Sequence, residues 1–188
     1  MWWAPLLNNI VGFLGEGVAA STNSYESIAT ATSTGSSGTI TFTSIPSTYK
    51  HLQLRAFLNN NNGNISVTTT FNSDTGANYA QHSLYGDGSS VTATSSTSRS
   101  NISAMFYTGN ATSTYWPTIV DILDYADTNK YKVARSLSGG DFNGSGYILF
   151  MSSLWQSTSA INSITVTNFA SGVNFSSGST IALYGVKG

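Results

Sequence analysis

Short segments in which every second residue is apolar recur along most of the chain, and they constrain its fold more than any other feature. In the clearest of them, residues 49–58, Leu52, Leu54, Ala56 and Leu58 share one face of an extended strand. Turn-forming residues separate such segments at intervals of about 8–12 residues, which is the spacing of sandwiches, jelly rolls and barrels. We therefore predict an all-β chain, a jelly-roll-like antiparallel β-sandwich of about nine strands.

Two stretches do not alternate cleanly. Residues 72–88 are interpreted as a long connection, and residues 89–100, which are almost entirely Ser and Thr, as an exposed loop or an edge strand.

The first eighteen residues are the only segment with a helical apolar period, and Pro5 can start that helix. A secretory signal needs early positive charge, but Lys50 is the first basic residue. The apolar run is also shorter than the roughly 18 residues of a transmembrane helix. We expect an anchor helix over residues 1–18, a linker over 19–24 and a β-sandwich domain over 25–188. The anchor face, which should pack on protein rather than in a membrane, comprises Trp3, Leu6, Leu7, Ile10, Phe13 and Leu14.

The chain carries few charges. Charged residues make up 8% of it, and 7 Lys and Arg against 8 Asp and Glu give a net charge of -1, whereas about 25% is usual. Such a chain cannot neutralise a run of phosphates, so nucleic acid is not an expected partner. Few charges also leave sheet edges unprotected. We therefore expect the edges to be buried in a homo-oligomer, a homotrimer.

One loop concentrates acidic residues. Asp121, Asp124 and Asp127 recur at three-residue steps, with Tyr125 among them, where a predicted strand runs into residues 124–129. Two interpretations stay open. The loop is a turn in which Asp127 bonds to its own backbone, or it is an oxygen-ligand Ca²⁺ site or glycan-binding loop.

The remaining candidates for chemistry are weak. His51 and His82 have no neighbouring ligand at metal-binding spacing, so we predict no metal site and no cofactor. Residues 74–76 read Asp-Thr-Gly, the tripeptide of aspartic proteases, but that chemistry needs two such carboxylates and the tripeptide occurs once. We expect a structural turn there and a protein that is not an enzyme.

Aromatic residues are more suggestive. Exposed Tyr and Trp beside polar side chains can stack on sugar rings, but they can equally fill a sandwich core or a seam between subunits. The set comprises Trp116, Trp155 and the tyrosines at positions 79, 85, 107, 115, 125, 131, 147 and 184.

A series of motifs follows in a familiar order. They are SYESIAT at 24–30, ITFTSIPSTYKHLQLR at 40–55, FNSDTGANY at 71–79, HSLYGDG at 82–88, DILDYADTNKYK at 121–132, RSL at 135–137 and ALYGVKG at 182–188. Together they resemble a family of virion structural proteins of tailed bacteriophages, common in aquatic phages, over residues 24 to 188.

The resemblance implies a non-enzymatic β-rich domain displayed on the phage particle as a capsid decoration protein, head fibre or tail fibre. Its partners would be other virion proteins, either the major capsid protein or a tail protein, and its location the virion. The N-terminal anchor would then fix the domain to the particle. The alternative function is a receptor-binding fibre or spike tip that recognises host-surface glycan. The family supplies no catalytic or binding residues that can be carried over to positions of this chain.

Overall fold

The computed structural model describes residues 24–63, 65–109 and 114–188. The predicted N-terminal helix, its six anchor residues and nearly all of the predicted linker lie outside these residues.

The described part of the chain is all-β and contains twelve strands rather than about nine. They are β1 (Tyr25–Thr32), β2 (Thr39–Phe42), β3 (His51–Leu58), β4 (Ile65–Phe71), β5 (Tyr79–Gly86), β6 (Val91–Arg99), β7 (Ile102–Thr108), β8 (Trp116–Leu123), β9 (Lys132–Asp141), β10 (Gly146–Trp155), β11 (Ile164–Asn168) and β12 (Thr180–Val186).

The strands form two sheets with antiparallel pairing. The larger has the order β1-β12-β3-β8-β9-β10-β5-β6 and the smaller β2-β11-β4-β7. Four pairs are nested in the sequence: β1 with β12, β2 with β11, β3 with β8 and β4 with β7. The chain is thus folded back on itself like one long hairpin whose pairs alternate between the sheets. The hairpins β9–β10 and β5–β6 extend the larger sheet on one side.

The core lies between the facing sides of the two sheets. Leu52, Leu54, Ala56 and Leu58 of β3 are buried, as their alternation predicts. Strand β7 of the smaller sheet packs across β3, β8, β9, β10 and β5 of the larger one. Two antiparallel sheets packed in this way are consistent with a β-sandwich. Each large aliphatic side chain buried there contributes about 1.5–3 kcal/mol to folding.

The missed strand is β5, which lies inside the predicted connection. Its inner face carries Tyr79, Gln81, Ser83 and Tyr85, so apolar and polar residues do not alternate along it. Strand β6 is an edge strand, one of the two alternatives predicted for its segment. Because the larger sheet has eight strands and the smaller has four, the side of the larger sheet formed by β10, β5 and β6 is only partly covered.

Candidate functional site

The three carboxylates of the acidic loop do not converge on one ligand site. Asp121 accepts a hydrogen bond from Gln53 Nε2 at 2.8 Å, and Gln53 Oε1 accepts one from Arg55 Nε at 2.8 Å. The Arg55 guanidinium in turn lies 5.0 Å from the ring centroid of Tyr184 and 5.2 Å from that of Tyr25. Asp121 therefore belongs to a row of polar contacts across β8, β3 and β12.

Asp124 is neutralised by lysines. Its carboxylate oxygens lie 2.9 Å from Lys50 Nζ and 2.9 Å from Lys130 Nζ. These contacts, that to Lys130 being the stronger, lower the pKa of Asp124 to about 2. Its backbone N–H donates to His51 Nδ1 at 2.9 Å. Lys130 also contacts Asp127 at 3.2 Å, so Asp124 and Asp127 meet around an ammonium group.

The residues that follow Asp124 form a turn. Asp127 Oδ1 accepts a hydrogen bond from the backbone N–H of Asn129 at 2.8 Å, and the Asp127 N–H donates to the carbonyl of Asp124 at 3.0 Å. Tyr125 is fully buried, and its hydroxyl donates to the carbonyl of Pro46, so its ring has no exposed face for a sugar. Across the part of the chain that the structure describes, no group of three or more His, Cys, Asp or Glu could hold a metal ion.

A residue that the sequence reasoning missed holds the loop together. Lys132 is fully buried, and its ammonium donates to the backbone carbonyls of Asp127 at 2.6 Å, Lys130 at 2.6 Å and Thr158 at 3.1 Å. Burial lowers the pKa of Lys132. The available signal was its position, because Lys132 occupies an inward position of β9, two residues before buried Ala134.

The Asp74 carboxylate is fully engaged in hydrogen bonds that fix a turn. It accepts them from Gly76 N at 2.8 Å, Asn78 Nδ2 at 3.0 Å and Trp155 Nε1 at 2.7 Å. These bonds, that from Trp155 first, lower the pKa of Asp74. Its geometry is that of the structural turn expected for the Asp-Thr-Gly tripeptide.

The outer side of the larger sheet carries an apolar row. Ile119, Leu137, Phe150 and Leu84 are successive cross-strand partners on β8, β9, β10 and β5. Their side chains are 46%, 49%, 51% and 49% exposed. Four apolar residues on neighbouring strands thus form a continuous stripe in contact with solvent.

A second row runs beside the first. Phe57 on β3 pairs with Pro117 on β8, and Ile148 on β10 pairs with Gly86, which pairs with Val91 on β6. A groove of about 910 Å³ opens beside these residues. We call both rows together the outer apolar face, which comprises Phe57, Leu84, Val91, Pro117, Ile119, Leu137, Ile148 and Phe150.

The outer apolar face lies at the upper end of the sizes of apolar patches found on monomers. Its eight side chains are each about half exposed or more, which amounts to roughly 600 Å² of apolar surface. The largest patch on a typical monomer is about 300–600 Å². Strand β8 carries apolar residues on both faces, with Val120 and Ile122 inward and Ile119 outward. That two-sided pattern, typical of strands covered on both faces, was the sequence signal for this surface.

A cleft of about 410 Å³ opens between the two sheets where the smaller one ends. We call it the aromatic cleft, because Tyr85, Tyr107, Trp116 and Tyr147 line it. The Trp116 ring lies 5.2 Å from that of Tyr107 and 6.1 Å from that of Tyr147, and the Tyr147 ring lies 6.4 Å from that of Tyr85. Burial, with the nearby hydroxyls of Tyr147 and Tyr85, raises the pKa of Tyr107.

One wall of the aromatic cleft is an irregular strand. Ala104 of β7 lines the cleft with φ 63°, at a β-bulge opposite β4. The neighbouring Ser103 N–H donates to Gln81 Oε1 on β5 at 2.8 Å, which joins the two sheets at this point. Bulges of this kind are enriched beside binding sites, where they redirect a strand.

Comparison of the chain with family models, curated proteins and solved structures returned no match. Among the described residues, no helix has the length and apolar character needed to cross a membrane.

Proposed function

We propose that this chain is a non-enzymatic structural protein of a bacteriophage virion, displayed on the particle as a decoration protein or fibre. The observation that carries the proposal is the outer apolar face. Only 8% of the residues are charged, so charge repulsion does little to prevent roughly 600 Å² of apolar sheet surface from associating. Apolar patches of this size often mark protein–protein contacts, which a subunit of a permanent assembly requires.

The strand order supports the proposal. We infer a jelly roll from the four nested pairs, which place β1-β12-β3-β8 in one sheet and β2-β11-β4-β7 in the other. Hairpins β5–β6 and β9–β10 would then be additions to that framework. Jelly rolls are frequent in viral capsid domains and lectins.

The occupant that we assign to the outer apolar face is a second copy of the chain, within a homotrimer. The exposed area approaches the roughly 800 Å² that each partner contributes to a standard interface. None of the eight residues is charged, so the face brings no charge of its own to a contact between copies. The N-terminal anchor, residues 1–18, would attach the oligomer to the major capsid protein or a tail protein.

The oligomer is tested by native mass spectrometry of the full chain. Replacing Leu137 and Phe150 with Ser should convert trimers to monomers, because both side chains lie at the centre of the face. Phe169→Ser is the matched control, since Phe169 is 66% exposed but lies outside the face. An unchanged trimer in the double variant, or monomers in the control as well, would contradict the assignment.

The attachment is tested on particles. A chain without residues 1–18 should remain soluble. It should not bind to virions that were produced without the full-length protein. Full incorporation of the shortened chain would refute the role of the anchor.

A second candidate function is that of a receptor-binding tip that recognises host-surface glycan. The aromatic cleft favours it, since Tyr and Trp beside uncharged polar groups are suited to sugar rings. The isolated protein should then be retained by host envelope preparations. If no preparation retains it, with or without Ca²⁺, this function is to be abandoned.

A further inference from the structure

We propose that the aromatic cleft is a binding site for a neutral saccharide. This inference rests on the second candidate function and deepens it by naming the site and the ligand class. It also moves the expected glycan contact away from the acidic loop, where lysines bind the carboxylates of Asp124 and Asp127 and Gln53 binds that of Asp121.

The first observation is an unused hydrogen-bond donor. Trp116 is 1% exposed, lines the cleft, and its indole Nε1–H has no acceptor among the described residues. Leaving such a group unpaired costs about 1–3 kcal/mol. The other buried indole, that of Trp155, donates to Asp74 at 2.7 Å. A ligand hydroxyl in the cleft would supply the acceptor that Trp116 lacks.

The second observation is the chemistry of the lining. The hydroxyls of Tyr85, Tyr107 and Tyr147 make no hydrogen bond with another described residue, and their rings line the cleft. Ser83 Oγ on β5 and Thr94 Oγ1 on β6, 2.6 Å apart, add hydroxyls to the lining. Alternating aromatic faces and hydroxyl groups match the apolar faces and hydroxyl edges of a sugar ring.

The absence of charged residues from the lining, among the described residues, favours an uncharged ligand. Among the described residues, no Asp, Glu, Lys, Arg or His lines the cleft. A charged sugar, a phosphate or an amine entering it would lose hydration without gaining an ionic partner. The volume of about 410 Å³ lies in the range of about 300–1,000 Å³ of small-molecule sites. A neutral saccharide is the class that fits these constraints.

The backbone around the cleft is arranged to hold this lining in place. A Cβ at Gly140 would lie 2.8 Å from Trp116 Cε2, so the indole position requires glycine there. Ala104 adopts a left-handed conformation on the opposite wall, at a cost of order 1–3 kcal/mol. A rigid site loses less entropy when its ligand binds.

The test is NMR of the ¹⁵N-labelled full chain, observing the assigned indole Nε1–H resonances. The probes are maltotriose, tri-N-acetylchitotriose and mannotriose at millimolar concentration, with glucuronic acid as the charged comparison. We expect at least one neutral probe to shift the Trp116 resonance, and the Trp155 resonance, whose acceptor is Asp74, to stay in place. No shift of Trp116 with any neutral probe, or equal shifts with glucuronic acid, would overturn the proposal.

Two variants refine the result. Trp116→Phe keeps an aromatic ring but removes the donor, and should weaken saccharide binding about tenfold. If that variant does not fold, Tyr107→Phe, which removes a hydroxyl alone, should weaken binding about threefold. Unchanged affinity in the folded variant would overturn the site.

The outcomes also separate the site from the function. If host envelopes fail to retain the protein while Trp116 responds to a sugar, the receptor-binding function fails and the site stands. If envelopes retain the protein while Trp116 stays silent, adhesion stands and the site is wrong.

Discussion

Replacing Lys132 with Met should be among the most damaging changes near the acidic loop. The buried ammonium donates three hydrogen bonds to the carbonyls of Asp127, Lys130 and Thr158. Met fills similar space but donates nothing, so three carbonyl groups lose their partner.

The magnitude follows from those three groups. A buried acceptor left unpaired costs about 1–3 kcal/mol. We take the lower value, because the three hydrogen bonds are only partly buried and the change also removes a buried charge and thereby its desolvation cost. The expected loss is therefore about 3 kcal/mol, a large fraction of a typical stability of 5–15 kcal/mol. For a domain of this size it corresponds to a fall in Tm of roughly 6–12 °C.

Urea unfolding followed by tryptophan fluorescence, together with thermal scans, measures this loss. Lys130→Met is the matched control, because it makes the same chemical change at an exposed lysine whose salt bridges are solvated. The control should change the urea midpoint little. If Lys132→Met were as stable as the unchanged protein, or if both variants lost the same stability, the three carbonyl contacts would not be what holds the loop.

Three further changes have defined outcomes. The pKa of Asp124 is lowered to about 2, so its stabilising contribution is complete above about pH 4 and disappears as the pH falls through about 2. In Asp124→Asn, the urea midpoint should therefore fall less steeply over that pH range. An acid profile identical to that of the unchanged protein would contradict this. Asp74→Ala should destabilise the fold by about 2 kcal/mol, because Trp155 loses its acceptor, whereas an unaltered denaturation curve would show that bond to be dispensable. Gly185→Ala would place a Cβ 2.2 Å from the ring of Tyr49 and should cost about 2–3 kcal/mol; wild-type stability in urea would mean that the ring moves aside freely.

The sequence predicted the all-β class because burial on one face of a strand leaves a period of two. It is clear in β3, where Leu52 and Leu54 are fully buried, and absent in β5, where Gln81 and Ser83 face the partly covered side of the larger sheet. Missing β5 left the strand count short. A strand such as β5, which lines the aromatic cleft, does not show the alternation of apolar and polar residues that a strand lining the core shows.

The sites were harder to predict, for a related reason. The acidic loop was visible because Asp124 and Asp127 are close in sequence. Lys130 is local as well, but Lys50 lies far earlier in the chain and reaches Asp124 only in the fold. The aromatic cleft joins Tyr85 on β5 with Tyr107 on β7 and Trp116 on β8. Only the pairing of β5 with β10, about 65 residues later in the chain, brings these rings together, and local sequence carries no trace of that pairing.

The pairing of β1 with β12 joins the first and the last of the described strands. β1 is the edge strand of the larger sheet, and Tyr25 lies opposite Val186. Until β12 has been made, β1 has no partner strand and β3 lacks one of its two neighbours. The larger sheet is therefore complete only once β12 has paired with both strands. A chain in which β12 is unpaired exposes the backbone N–H and C=O groups of β1 and β3, which can then pair with other chains.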